Sequence, residues 1–175
     1  MATTYTLINS NVLSSSAASV TFSSIPATYT DLVLKYSSRH NNAFSISQSA
    51  ITFNGSSAAN YSETVVYGNS VSAASGRQSG SSQIDFMYDD ADSATANTFS
   101  NTELYIPNYT VSANKPMSWF GVTENNATTS NSAMIVGNAS LWRDNSAITS
   151  ITILALAGRN FLSGSSFYLY GISSN

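Results

Sequence analysis

Side chains able to move a proton, attack a carbon or hold a metal are few in this chain. Its one histidine, His40, sits beside Arg39, Asn41 and Asn42. A nucleophile triad needs such an imidazole next to an activated serine and an orienting acid. No Gly-x-Ser-x-Gly segment is present to hold a serine on a strained turn, so His40 is expected in a solvated loop. A catalytic zinc takes three protein ligands, mostly His or Cys. A chain with one His and no Cys cannot supply them.

Asp89, Asp90 and Asp92 form an acidic cluster, with Asp85 nearby. Closely spaced carboxylates in a loop can hold calcium through oxygen ligands. This spacing lacks the glycine and the distant glutamate of an EF-hand loop. The expectation is an acidic loop end without an ion. An ion bound there would be calcium rather than magnesium, because no substrate phosphate is on hand to share it. Glycosidases place two carboxylates about 5–9.5 Å apart across a bond, and Glu63, Glu103 and Glu124 are the candidates. Glu103 and Glu124 flank strand-like segments, where an outward, solvated position is expected. No catalytic, cofactor-binding or metal-binding residue is assigned, no cofactor is called for and no enzymatic activity is expected.

The elements that would position any site are strands. Period-two alternation recurs throughout. Val20 and Phe22 alternate with Thr21 and Ser23. Leu32, Leu34 and Tyr36 share one face, Val33 and Lys35 the other. Ile84, Phe86 and Tyr88 alternate with Asp85 and Met87. Trp119 and Gly121 alternate with Phe120 and Val122. Phe167, Leu169 and Gly171 oppose Tyr168, Tyr170 and Ile172. Asn54-Gly55 is a strong turn dipeptide needing positive φ. The gaps collect Gly, Asn, Ser and Pro. Nine to eleven strands are expected and no amphipathic helix. The favoured fold is all-β: a single domain over residues 1–175, an antiparallel two-sheet sandwich of jelly-roll type. The segment Asn69 to Ser82 is expected to be the main flexible loop, followed by Asp89 to Thr98 and Asn125 to Ser132.

Composition narrows function. Charged residues are 9% of 175, against about 25% in a typical globular domain. The net charge is −3 and the six basic residues are scattered, so no electrostatic footprint for nucleic acid exists. The longest apolar stretch, Ile151 to Ala157, is broken by Thr152 and falls far short of the ~20 residues of a membrane helix. The start lacks the basic and apolar regions of a signal peptide. No export address is therefore visible; a protein acting outside a bacterial cell can still be made inside it and released by lysis. Twenty aromatic residues, Tyr 10, Phe 8 and Trp 2, are expected mostly in the core. A minority would serve a subunit interface or a sugar platform.

Four stretches carry a family resemblance: Ser-Ser-Ile-Pro-Ala-Thr-Tyr-Thr-Asp-Leu-Val-Leu (23–34), Ile-Thr-Phe-Asn-Gly with Asn-Tyr-Ser (51–62), Leu-Tyr-Ile-Pro-Asn-Tyr (104–109) with Lys115-Pro116, and Ala147 through Ile172 ending in Phe-Tyr-Leu-Tyr-Gly-Ile. In this order they resemble small virion proteins of tailed bacteriophages, over nearly the whole chain. The resemblance implies a β-sandwich on the particle surface, a homotrimeric head decoration or cement protein that contacts the major capsid protein or another virion protein. The alternative it implies is a receptor-binding module of a tail or head fibre that recognises host surface glycans. The family supplies no catalytic residues. It assigns Pro26 and Pro107 to strand edges or turns and Gly171 to a tightly packed final strand. Residues 2–11 are expected to be a docking arm or edge strand.

Overall fold

The computed structural model describes residues 4–69, 71–126 and 133–173. Thirteen strands and no helix occur among them. They are β1 (Tyr5–Val12), β2 (Ser19–Phe22), β3 (Asp31–Ser37), β4 (Arg39–His40), β5 (Ile46–Phe53), β6 (Tyr61–Asn69) and β7 (Ala73–Ser81). β8 (Ile84–Ala91), β9 (Asn101–Ile106), β10 (Lys115–Val122), β11 (Met134–Trp142), β12 (Ile151–Ala155) and β13 (Ser166–Ile172) follow. The protein is all-β. An eight-stranded sheet has the order β1-β13-β3-β9-β10-β11-β6-β7, and a five-stranded sheet the order β2-β12-β5-β8-β4. Every pairing is antiparallel except the short β4–β8 contact.

Four of the pairings are nested from the outside of the chain inward. β1 pairs with β13, β2 with β12, β3 with β9 and β5 with β8. Successive nested pairs fall in alternate sheets. The remaining long strands are two antiparallel pairs, β6–β7 and β10–β11, which continue the larger sheet beyond β9.

Both sheets feed one buried cluster. Leu32, Leu34, Leu104, Trp119, Val136, Trp142, Phe167 and Leu169 enter it from the larger sheet; Val20, Phe22, Ile51, Phe53, Met87, Ile151 and Ile153 enter from the smaller. The alternation read from the sequence is the cause: at period two, one face of each strand is apolar and is removed from water. Phe53, Tyr61 and Trp142 form a ring cluster with centroids 5.4–6.2 Å apart. Gly171 lies under the Tyr29 ring, and a methyl group there would overlap it. The tight packing expected at this glycine is present.

Asn54 and Gly55 adopt positive φ, 52° and 66°, as their types require. The Asn54 carboxamide also ties this turn to the segment before β12. Its Oδ1 accepts from the Thr149 and Ser150 amides at 2.8 and 3.1 Å, and its Nδ2 donates to the Ala147 carbonyl at 2.8 Å.

Several expectations meet the structure here, and thirteen strands among the described residues replace the nine to eleven expected. The segment Asn69 to Ser82 contains a nine-residue strand, β7. Its Gly, Ser and Ala content gives no β propensity. The β6 backbone supplies the ladder instead, and an edge strand tolerates glycine. Of residues 2–11, those from Tyr5 on belong to β1, the edge strand of the larger sheet, hydrogen-bonded along β13 of the same chain rather than extended as a free arm. Asp89 and Asp90 are not at a loop end but inside β8, and both are fully buried. Of the predicted connection Asn125 to Ser132, residues 127–132 lie outside the described residues.

Candidate interaction surface

His40 is not solvated. It is fully buried in β4, its ring edge-on to Phe161 with centroids 4.8 Å apart. Its Nε2 lies 3.2 Å from Asp89 Oδ2 and 3.2 Å from Ser49 Oγ, while Nδ1 has no partner. The burial follows from topology: β4 pairs with β8, bringing His40 beside the inward side chain of Asp89. Asp89 Oδ1 accepts from Ser38 Oγ at 2.7 Å and Ser100 Oγ at 2.6 Å, and Oδ2 accepts from Ser49 Oγ.

Histidine, serine and aspartate thus meet, but not as a triad. A triad uses one ring nitrogen for the acid and the other for the nucleophile. Here Ser49 and Asp89 crowd the same nitrogen, and all three residues are shut off from solvent. Burial alone would push the Asp89 carboxyl up. Hydrogen bonding and charge from His40, with hydrogen bonds from Ser100 and Ser49, outweigh it and hold the carboxyl below its usual range. Next to this cluster, Arg39 is 8% exposed and staples the chain that follows β8. Its guanidinium donates to the carbonyls of Thr95, Thr98, Asp92 and Ala94 at 2.9–3.2 Å.

The three glutamates do not converge. Glu63, on β6, is buried and accepts from the Asp85 amide at 2.9 Å, from Asn138 Nδ2 at 2.7 Å and from Gln78 Nε2. Burial raises its carboxyl above the usual range, against these hydrogen bonds. Glu103, on β9, is exposed and pairs with Lys35 at 2.8 Å. Glu124 is exposed beyond the end of β10 and accepts from the Asn126 amide. Among the described residues, no group of three or more His, Cys, Asp or Glu side chains is placed to hold a metal ion. Asp92 is exposed, away from the buried Asp89 and Asp90.

The outward face of the eight-stranded sheet is different. Register aligns Glu103, Phe120, Gly137, Val66 and Ser75 in one row across β9, β10, β11, β6 and β7. Ile135 pairs with Gly68 and Gly68 with Ala73 in the next. Val66 is 60% exposed, Phe120 52% and Ile135 52%. Gly137 and Gly68 sit between them, so the floor is backbone and the three side chains rise as walls. The result is an open trough of about 640 Å³ with no charged residue in its lining among the described residues. Exposed apolar side chains scattered singly are ordinary, whereas a contiguous group marks an interaction surface. Further along the same face, the Tyr5 and Tyr170 rings stand edge to face with centroids 6.4 Å apart, and Tyr105 Oη donates to Asp31 Oδ2 at 2.8 Å.

Alternation along the chain marks Phe120 only as the off-phase neighbour of Trp119 and does not single out Val66 or Ile135. The signal was available. Val65-Val66-Tyr67, Met134-Ile135-Val136 and Trp119-Phe120 are apolar in both phases, the pattern of strands covered on both sides.

The chain matches no family profile, no curated protein and no solved structure.

Proposed function

We propose that this chain is a structural protein of a bacteriophage particle surface, a homotrimeric decoration or cement protein that acts by association and carries out no chemical conversion. The observation that carries this reading is the charge-free apolar trough between Val66, Phe120 and Ile135. Covering it removes apolar surface from water, and the charges that border it, Glu103 beside Phe120 and Lys35, already neutralise each other. A second copy with the same neutral exterior meets that requirement. Repeated weak contacts from three linked copies would then clamp neighbouring capsid subunits by avidity.

The finer fold assignment belongs to this reading. Nested pairs lying alternately in two sheets are the connectivity of a jelly roll, a chain folded as one long hairpin and then rolled into a sandwich. On this view β6–β7 and β10–β11 are insertions that broaden one sheet and build the trough. The buried position of His40 and Asp89, and the separation of Glu63, Glu103 and Glu124, also favour a surface role over a reaction centre.

Sedimentation equilibrium tests the proposal. The unaltered chain is expected to run as a trimer, and the double variant Val66→Lys with Ile135→Lys as a monomer with an unchanged melting curve. A monomeric unaltered chain, or a double variant that stays trimeric, would reject self-association through this face. Copy number in purified particles, measured against the major capsid protein, separates the two virion roles: hundreds of copies mean decoration, about a dozen mean a fibre or tail component.

A further inference from the structure

A second recess opens on the outward side of the five-stranded sheet, away from the trough. Gln48 and Tyr88 are register partners on β5 and β8, and their neighbours Ser49, Met87 and Asp89 point into the core. Around them stand Asn42 and Phe44 from the chain before β5, and Ala157 and Arg159 from the chain after β12. The recess measures about 290 Å³, at the small end of ligand sites, which run from about 300 to 1,000 Å³. We infer that it binds an acidic sugar, a saccharide residue bearing a carboxylate.

Charge selects the class. Arg159 is the only charged residue in the lining. Among the described residues its guanidinium has no ion pair, and its Nε is buried without a hydrogen-bond partner. A guanidinium stays charged at any ordinary pH and presents a planar fork that fits a carboxylate. Arg39 contrasts with it, since four backbone carbonyls occupy the Arg39 guanidinium. The protein thus satisfies the buried Arg39 internally and leaves the half-buried Arg159 guanidinium, among the described residues, without a protein partner beside a cavity.

The remaining lining selects a sugar over a simple anion. Asn42 is 7% exposed. Its Nδ2 donates to Ser47 Oγ at 3.3 Å and its Oδ1 has no partner; exchanging the two ends of the amide still leaves one polar atom unmatched. Gln48, which donates to the Asp85 carbonyl at 3.4 Å, and the Tyr88 hydroxyl, bonded to Gln48, keep spare hydrogen-bonding capacity to meet sugar hydroxyls. Phe44, 67% exposed, offers an uncovered ring for the apolar face of a pyranose. Ala157 and Gly158 hold left-handed φ of 56° and 69°, the central pair of a turn closed by the Arg159 amide donating to the Leu156 carbonyl at 3.1 Å, and this turn sets Arg159 at the rim of the recess.

Calorimetric titration of the full chain with glucuronate, galacturonate and N-acetylneuraminate, against glucose, galactose and acetate, tests the assignment. At least one acidic sugar is expected to bind saturably and at least tenfold more tightly than any neutral sugar or acetate. Arg159→Gln should abolish that preference, Arg159→Lys should retain part of it, and Phe44→Ala should weaken binding with an unchanged melting temperature. Equal binding of acidic and neutral sugars, an Arg159→Gln variant that binds like the parent, or no binding to any of them would overturn the inference. The Val66→Lys, Ile135→Lys chain should bind the sugar as the parent does, so this site stands or falls apart from self-association.

Discussion

Asp89 and Glu63 are both buried carboxylates surrounded by hydrogen-bond donors, yet one is held below its ordinary range and the other is pushed above it. The count of donors does not separate them. Asp89 accepts from three serine hydroxyls and faces His40; Glu63 accepts from one backbone amide and two carboxamides and has Asp85 close by. The largest difference is His40, whose hydrogen bond and charge lead the lowering at Asp89, whereas burial leads at Glu63 and Asp85 adds the smallest contribution. Histidine favours the charged aspartate, while Asp85 adds to the burial that disfavours the charged glutamate. Burial therefore sets a cost at both sites, and the neighbour decides whether it is met.

The largest expected effect comes from breaking the better-satisfied site. Asp89→Ala leaves His40, Ser38, Ser49 and Ser100 without their common acceptor in a closed interior. Removing one partner of such a buried cluster costs about 3–5 kcal/mol, which urea unfolding would measure. The effect depends on pH with a definite sign. A carboxyl held low in the folded protein stabilises it at pH values above its unfolded pKa of about 3.9. That stabilisation fades as pH falls through the lower, folded value. The gap between parent and variant should be full at pH 6 and narrow in acid. A gap that widens in acid would contradict the low Asp89 carboxyl.

Glu63→Gln sharpens the comparison with a smaller effect of the opposite tendency. A carboxyl held high binds its proton more tightly in the folded state, so the parent loses stability as pH rises from the unfolded value of about 4.3 through the folded one. Glutamine carries no such penalty. The variant is expected to lie within about 1 kcal/mol of the parent near pH 4 and to gain on it as pH approaches 7. Melting temperatures at pH 4, 5.5 and 7 measure this directly. A variant that loses ground as pH rises would mean that Glu63 is stabilised as a carboxylate.

These contrasts bear on what the sequence could reveal. Strands such as Leu32-Val33-Leu34-Lys35-Tyr36 were legible because each carries its own alternation. β7 was not, because Ala-Ala-Ser-Gly-Arg-Gln-Ser-Gly-Ser is held extended by β6, a partner outside the window being read. His40 was misplaced for a related reason. Arg-His-Asn-Asn reads as a polar loop, and only the meeting of β4 with β8 supplies the aspartate and serines that let such residues be buried. The trough was half legible: strands apolar in both phases indicate a covered outer face, but the rows that gather Val66, Phe120 and Ile135 depend on register between strands far apart in sequence.

The smallest expected effect is at Lys35 and Glu103, and it tests whether burial rather than charge pairing makes the inner sites matter. Their side chains are about half exposed, 48% and 51%, and their charges meet at 2.8 Å on the outward face of the larger sheet. The contact is shorter than the 3.2 Å between His40 and Asp89 in the interior, but water screens it and competes for both groups. Such exposed pairs contribute about 0.2–1 kcal/mol. Lys35→Ala should therefore shift the urea midpoint barely beyond measurement error at 0.15 M salt and not at all at 1 M, where the screening length falls to about 3 Å. The Asp89→Ala loss should persist at both salt concentrations, because no salt reaches a side chain with no exposed surface. A Lys35→Ala loss that matched Asp89→Ala, or that survived high salt, would mean that this face is already covered in solution, and that the pair is buried by a second copy of the chain.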